Sequence, residues 1–294
     1  MENKKVNILP QLGIILATII WGFSFVVVKD ALVLIPPVYM STLRFTLAAI
    51  VLAVVFHKKL KQINKKYLLS GAVLGFFLFA ATAIQTVALQ TTDAGVCAFL
   101  TTAYVVWSPF LAWAIFKKKP NKQCLLAVVF AIIGIGLLSL TKGFGIGFGE
   151  LLTLLCGVGY ALHIVFSDNY TEAQDPLLIS VLQMVFAAVF GWIVAPVYEG
   201  RLDMSAMVGD SQFWIAILYT GVLSTALCFL LQVVAQKHLS VTTAAILLSM
   251  ESVFGTIFSV IFLQEALGPR KLVGFVLMFA AVLISQITFT RKKK

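Results

Sequence analysis

Charge is what this sequence has least of. Of its 294 residues only 12% are Asp, Glu, Lys or Arg, where a soluble domain carries about a quarter. Hydrophobic residues make up 61% and the mean hydropathy is +1.01. Too little polar surface remains to cover a water-soluble globule, so lipid is the solvent for most of the chain. Acids are scarcer than bases, 12 against 22. The excess base sits in short clusters such as His57-Lys58-Lys59 and Lys117-Lys118-Lys119. No soluble module carries it, which argues against nucleic acid as a partner and for anionic lipid headgroups. The four cysteines, Cys97, Cys124, Cys156 and Cys228, have neither zinc-ligand nor extracellular disulfide spacing. They are expected to be small buried hydrophobes. No second histidine or carboxylate stands at metal-ligand spacing, so neither metal nor cofactor is implied. HExxH, GxSxG and GK[ST] are all absent, which leaves no protease, hydrolase or ATPase signature.

Long apolar runs are present instead. A helix needs about 20 apolar residues to cross a bilayer, and such runs recur at 11–28, 37–56, 68–89, 94–116, 123–141, 149–167, 177–198, 212–235, 241–263 and 271–289. Backbone groups in lipid must pair within their own segment, so these runs are helices. The fold class expected is an all-α integral membrane protein of ten transmembrane helices. MENKKVNILPQLG, which lacks a small-residue cleavage site, leads into the first span and is not a removed signal peptide. With the N-terminus inside, the inside segments hold 16 Lys and Arg and the outside segments five, with Arg44 within a span. The positive-inside rule then places both termini in the cytoplasm of a bacterial inner membrane. The sequon Asn169-Tyr170-Thr171 falls on the inner side, where it is not glycosylated.

The two halves resemble each other. A shift of 147 residues aligns Tyr104 with Glu251, Gln85 with Gln232 and Ala88 with Ala235. A shift of 139 aligns Trp21-Gly22 with Tyr160-Ala161 and Arg44 with Gln183. Five spans per repeat is odd, so the second repeat must be inverted, an arrangement that sets a transport site near the midplane. The repeats are taken as 1–142 and 143–294, joined through the glycine-rich stretch Gly143 to Gly149. That stretch lacks the ending and the preceding strand of a phosphate loop.

The run Trp21-Gly22-Phe23-Ser24-Phe25, Arg44-Phe45 followed by Ala48-Ala49, Glu251-Ser252-Val253 and Gln264-Glu265-Ala266-Leu267 together resemble the EamA-type exporters of the drug/metabolite transporter superfamily. The resemblance covers nearly the whole chain. It implies ten helices around a central cavity, alternating access, and export of amino acids or related small metabolites. The family often has Glu-Pro where this chain has Glu251-Ser252, and a glutamate where Lys117-Lys118-Lys119 stands. The second departure points to a structural role for Glu265.

Glu251 is the acid placed deepest in a span, where a charge costs about 2.5–3.5 kcal/mol on insertion scales. It is expected to line a wet cavity and to bind a substrate amine or carry a coupling proton. The alternative is a neutral side chain hydrogen-bonded to a facing helix. Gln85 and Gln232 are matched amides able to orient a zwitterion, or to hydrogen-bond between helices. Cys156, Tyr160, His163 and Ser167 form a polar stripe, on which His163 is either a proton relay or a satisfied buried group. Trp21, Tyr104 and Tyr160 are candidate cavity walls, with Trp107 a weaker one. Arg44 is expected to snorkel to the interface. Gly71 and Gly75 suit close helix packing, and Pro109 suits a bend.

The function expected is a secondary exporter of small metabolites, exchanged for protons. The partners are then a small-molecule substrate, membrane lipid and coupling protons. An uptake carrier or facilitator and an intramembrane enzyme are the alternatives.

Overall fold

The computed structural model describes residues 9–117, 122–139, 147–205, 207–238 and 241–286. Among these the regular structure is all helical. The helices are α1 (Leu9–Ala31), α2 (Pro37–Val55), α3 (Lys65–Ala88), α4 (Ala94–Thr101), α5 (Tyr104–Phe116), α6 (Lys122–Ser139), α7 (Phe148–Thr171), α8 (Pro176–Glu199), α9 (Ser211–Leu218), α10 (Cys228–Gln236), α11 (Val241–Leu263) and α12 (Pro269–Gln286). Seven helical stretches are long and apolar enough to cross a membrane, counting Ala94–Ile115 and Ser211–Gln236 each as one. Leu125–Gly134 and Leu247–Leu263 are shorter apolar stretches. The chain is therefore a multi-pass membrane protein. The N-terminal lysines, the basic C-terminal tail and most of the glycine-rich stretch lie outside the described residues.

The surface supports the same conclusion. Val33 and Val197 are each 86% exposed, and Leu69, Ile132 and Ile215 are more than half exposed. Apolar surface on this scale is not left to water. The interior instead collects hydroxyls. Thr42, Thr86, Thr101, Thr153, Ser180 and Thr220 each donate to the carbonyl four residues earlier in the same helix. A small polar side chain is thereby satisfied without a partner helix, which lets it be buried in lipid at little cost.

Close packing depends on glycine where helices cross. A Cβ on Gly75 would meet the Cβ of Phe186 at 2.7 Å, and one on Gly22 would meet that of Phe254 at 2.6 Å. α3 thus lies tightly on α8, and α1 on α11. The other contacts pair off. α7 packs on α3, α4 and α5; α10 packs on α1; α6 packs on α12 and α2 on α8.

Two stretches depart from plain α-helix. The run expected as one span from 94 to 116 breaks at Thr102-Ala103. There the N–H groups of Thr102, Ala103, Val105 and Val106 reach only three residues back. Pro109 follows within α5; it lacks an N–H, and its ring crowds the preceding turn. The expected bend therefore lies upstream of the proline itself. Between α9 and α10 the chain forms a π-helix, Tyr219–Leu227, a form found often at functional sites.

Helix ends on one side are held by acids from elsewhere in the chain. Glu199 accepts from the N–H groups of Val38 (2.8 Å) and Tyr39 (2.9 Å) at the start of α2. Glu265 accepts from Ala94 (2.6 Å) and Gly95 (3.0 Å) at the start of α4. Lys29 donates to the Thr92 carbonyl at 2.6 Å and lies 3.7 Å from Glu265. A carboxylate on two free N–H groups of a helix start meets both the hydrogen-bond need and the dipole. Glu265 accordingly has the structural role the sequence suggested.

Candidate functional site

A cavity between the helices is lined by residues of α1, α2, α3, α4, α5, α7, the π-helix, α10 and α11. Its volume is about 60 Å³. One water needs ~10–15 Å³ by this measure, so the space suits several waters or a small solute. All seven candidates read from the sequence lie on its wall: Glu251, Gln85, Gln232, Trp21, Tyr104, Tyr160 and His163. Trp107 does not; it is 39% exposed on the outer surface.

The wall has two charged groups, and they are held differently. Arg44 is 7% exposed and does not snorkel. Its Nε donates to Thr225 Oγ1 at 2.8 Å and its Nη2 to Ser224 Oγ at 2.9 Å. Ser224 Oγ in turn donates to Ser24 Oγ at 3.0 Å. Two donors are satisfied inside the protein, and that outweighs the pull of the interface. Trp21 Nε1 donates to the Ser224 carbonyl at 2.7 Å, a bond across to the irregular turn. Ser224 is not singled out by the sequence; its pairing with Arg44 is tertiary and leaves no local signal.

Glu251 has no hydrogen bond or ion pair among the described residues. It lines the same cavity as Arg44, and no ion pair within 4.0 Å joins them. Gln232 and the Tyr104 hydroxyl are likewise without hydrogen-bond partners among the described residues.

The remaining wall is pinned. Gln85 Nε2 donates to Thr101 Oγ1 at 2.9 Å, and its Oε1 accepts from the Tyr160 hydroxyl at 3.1 Å. Tyr160 also lies 3.0 Å from Thr82 Oγ1. Tyr160 and Tyr104 meet edge to face at 6.4 Å, and Trp21 packs against Phe229 at 5.1 Å. His163 Nε2 lies 2.9 Å from Gln183 Oε1. Cys97, Cys156 and Cys228 are free and buried, as expected of small apolar groups; the Cys124 side chain lies outside the described residues. No group of three or more metal-ligating side chains occurs among the described residues.

The model of the EamA-like transporter family matches residues 9–140 and again 147–286. The chain belongs to the EamA-like transporter family. Members of this family, part of the drug/metabolite transporter superfamily, are transporters and not enzymes. An uncharacterized transporter of Archaeoglobus fulgidus is 30% identical over 93% of this chain and 84% of its own length. A probable amino-acid metabolite efflux pump of Salmonella typhimurium is 24% identical over 94% of both chains. The threonine/homoserine exporter RhtA of Escherichia coli is 24% identical over 86% of this chain and 83% of its own length. A solved crystal structure superposes with a TM-score of 0.67, covering 94% of this chain and 95% of that one at 14% identity. This last likeness concerns the fold alone.

Proposed function

We propose that this EamA-like transporter is a secondary exporter of small amphipathic metabolites such as amino acids, working by alternating access and driven by exchange for protons. The observation that carries the reading is the cavity with a fixed guanidinium on one wall and an unpartnered carboxylate on another. A zwitterion offers each its opposite charge, and Gln232 and Tyr104 add hydrogen-bonding capacity. Export is favoured by the roles named for the Salmonella and Escherichia relatives. The two successive family matches and the paired helix contacts support ten spans in two inverted five-helix repeats, 1–142 and 143–294. The cavity lies where those repeats meet, as in other carriers of this construction. The excess of lysine and arginine puts both termini in the cytoplasm of a bacterial inner membrane.

In this scheme ionised Glu251 holds the substrate amine. Protonation from outside then releases it, and the proton is carried inward on the return. The test is substrate-driven proton movement in proteoliposomes, with a panel of amino acids and small amines. Proton flux with one panel member, lost in Glu251→Gln, is the expected result. Unchanged flux in the variant would remove Glu251 from the cycle.

A further inference from the structure

The polar stripe on α7 does not stop at the cavity. Cys156, Tyr160 and His163 continue through Ser167 and Thr171 to Gln174 just beyond the helix end, at spacings of three and four residues that keep one face. Tyr160 and His163 line the central cavity, while Thr171 and Gln174 line a second, wider pocket at the α7–α8 end of the molecule. That pocket is also lined by Pro176 and Leu177 of α8, and by Val234 and Lys237 on α10 and its end. Both cavities thus share α7 and α10. The span between His163 and Thr171 is eight residues, about 12 Å at 1.5 Å per residue.

On α7 and the helices beside it several buried polar atoms have no partner. Ser167 Oγ on α7, Gln183 Nε2 on α8, Gln236 Oε1 on α10 and Gln174 Oε1 at the far end are all unsatisfied. Ser167 and Gln183 are 0% exposed. Turning the Gln183 amide over would only exchange which end meets His163; one end stays unpaired. An unpaired buried polar group is costly, and these four are too many to be left dry. α7 and α8 both pack on α3, and α10 touches both.

We propose that α7, α8 and α10 enclose a file of water running from the central cavity to the pocket at the α7–α8 end. Its uncharged lining offers both donors and acceptors: His163, the Gln183 amide, Ser167, Gln236 and Gln174. Such a lining binds water at two to four contacts each and holds neither cation nor anion. The file gives the cavity a wet connection to that side, through which water and its excess proton pass. Naming that side the cytoplasm rests on the orientation given above; the file itself does not.

The test is thiol accessibility. In a chain whose four native cysteines are replaced, Ser167→Cys and, independently, Gln236→Cys are exposed to a membrane-impermeant methanethiosulfonate added to one face of the vesicle at a time. A lipid-facing control is Leu155→Cys. Both file positions are expected to react from the face bearing the α7–α8 connection, with the control unreactive. Protection of both positions, or reaction only from the opposite face, would overturn the file. No substrate enters the experiment, so failure of the exporter reading would leave its result standing. If one variant fails to fold, reaction or protection of the other decides the question alone.

Discussion

Arg44 and Glu251 face one cavity from α2 and α11, yet they are opposites in how they are held. Arg44 is tied by two hydrogen bonds to the π-helix, and through Ser224 to Ser24 on α1. Glu251 is tied to nothing among the described residues. A charge built into a network is part of the fold, whereas a charge without partners is free to meet something that comes and goes, as the proposed cycle requires. The difference predicts that the two can be separated by measuring stability and transport in the same variants.

Arg44→Ala gives the largest effect. It leaves Ser224 and Thr225 without their donor, at a cost on the order of 3 kcal/mol. The melting temperature in detergent should fall clearly, and transport with it. Glu251→Gln should leave the melting temperature nearly unchanged, because no bond is lost, and should abolish proton-coupled flux. Equal destabilisation by both would show that Glu251 is structural, and would end the comparison. Intermediate in size is Ser224→Ala, which removes one link of the Arg44 network and costs about 1–2 kcal/mol. Its transport defect should be one of binding, seen as a raised KM, because Thr225 still holds the guanidinium loosely in place.

What the sequence disclosed follows the same division. A lone acid deep in an apolar run is visible because its cost in lipid is local, and Glu251 was legible for that reason. The matched amides and aromatics were legible through the internal repeat, which brought Gln85, Gln232, Trp21, Tyr104 and Tyr160 forward together. Arg44 was misread because its placement depends on Ser224 and Thr225, some 180 residues away, and on a π-helix that apolar periodicity cannot signal. The break at Thr102-Ala103 was hidden in the same way. Pro109 marked the span that would bend, yet the irregular turn fell earlier, where Thr101 and Tyr104 meet the cavity. α11, aligned with that span but without proline, runs unbroken from Val241 to Leu263. Helix identity was thus written in composition, while backbone irregularity needed the tertiary partners.

The held acids at the membrane edges sharpen the contrast further. Glu265 accepts two backbone N–H groups of α4, so Glu265→Gln should do the reverse of Glu251→Gln. One acceptor and the charge at the helix start are lost, which costs about 1–2 kcal/mol in thermal stability. The pH dependence of transport should stay unchanged. A shifted pH profile in Glu265→Gln would mean that this carboxylate takes part in the proton cycle.

Asp175, at the opposite end, is the weakest case and the one with a titration to follow. Burial alone would push its carboxyl up, but the hydrogen bond from Lys59, the Leu177 N–H and the positive charges of Lys59 and Lys237 outweigh this and hold it below the usual value of 3.8. The folded state therefore favours the ionised form more than the unfolded chain does. Its contribution is fully present above the unfolded value and fades as pH falls through the lowered folded one. Lys59 and Asp175 are both partly exposed, and pairs of that kind contribute ~0–1 kcal/mol. Asp175→Asn should cost little at neutral pH, because asparagine can still accept from the Leu177 N–H. The difference from wild type should shrink as the pH is taken below the usual carboxylate range, where the wild-type side chain loses its charge as well. A gap in melting temperature that persisted unchanged there would mean that the charge on Asp175 is not what ties Lys59 to the α7–α8 connection.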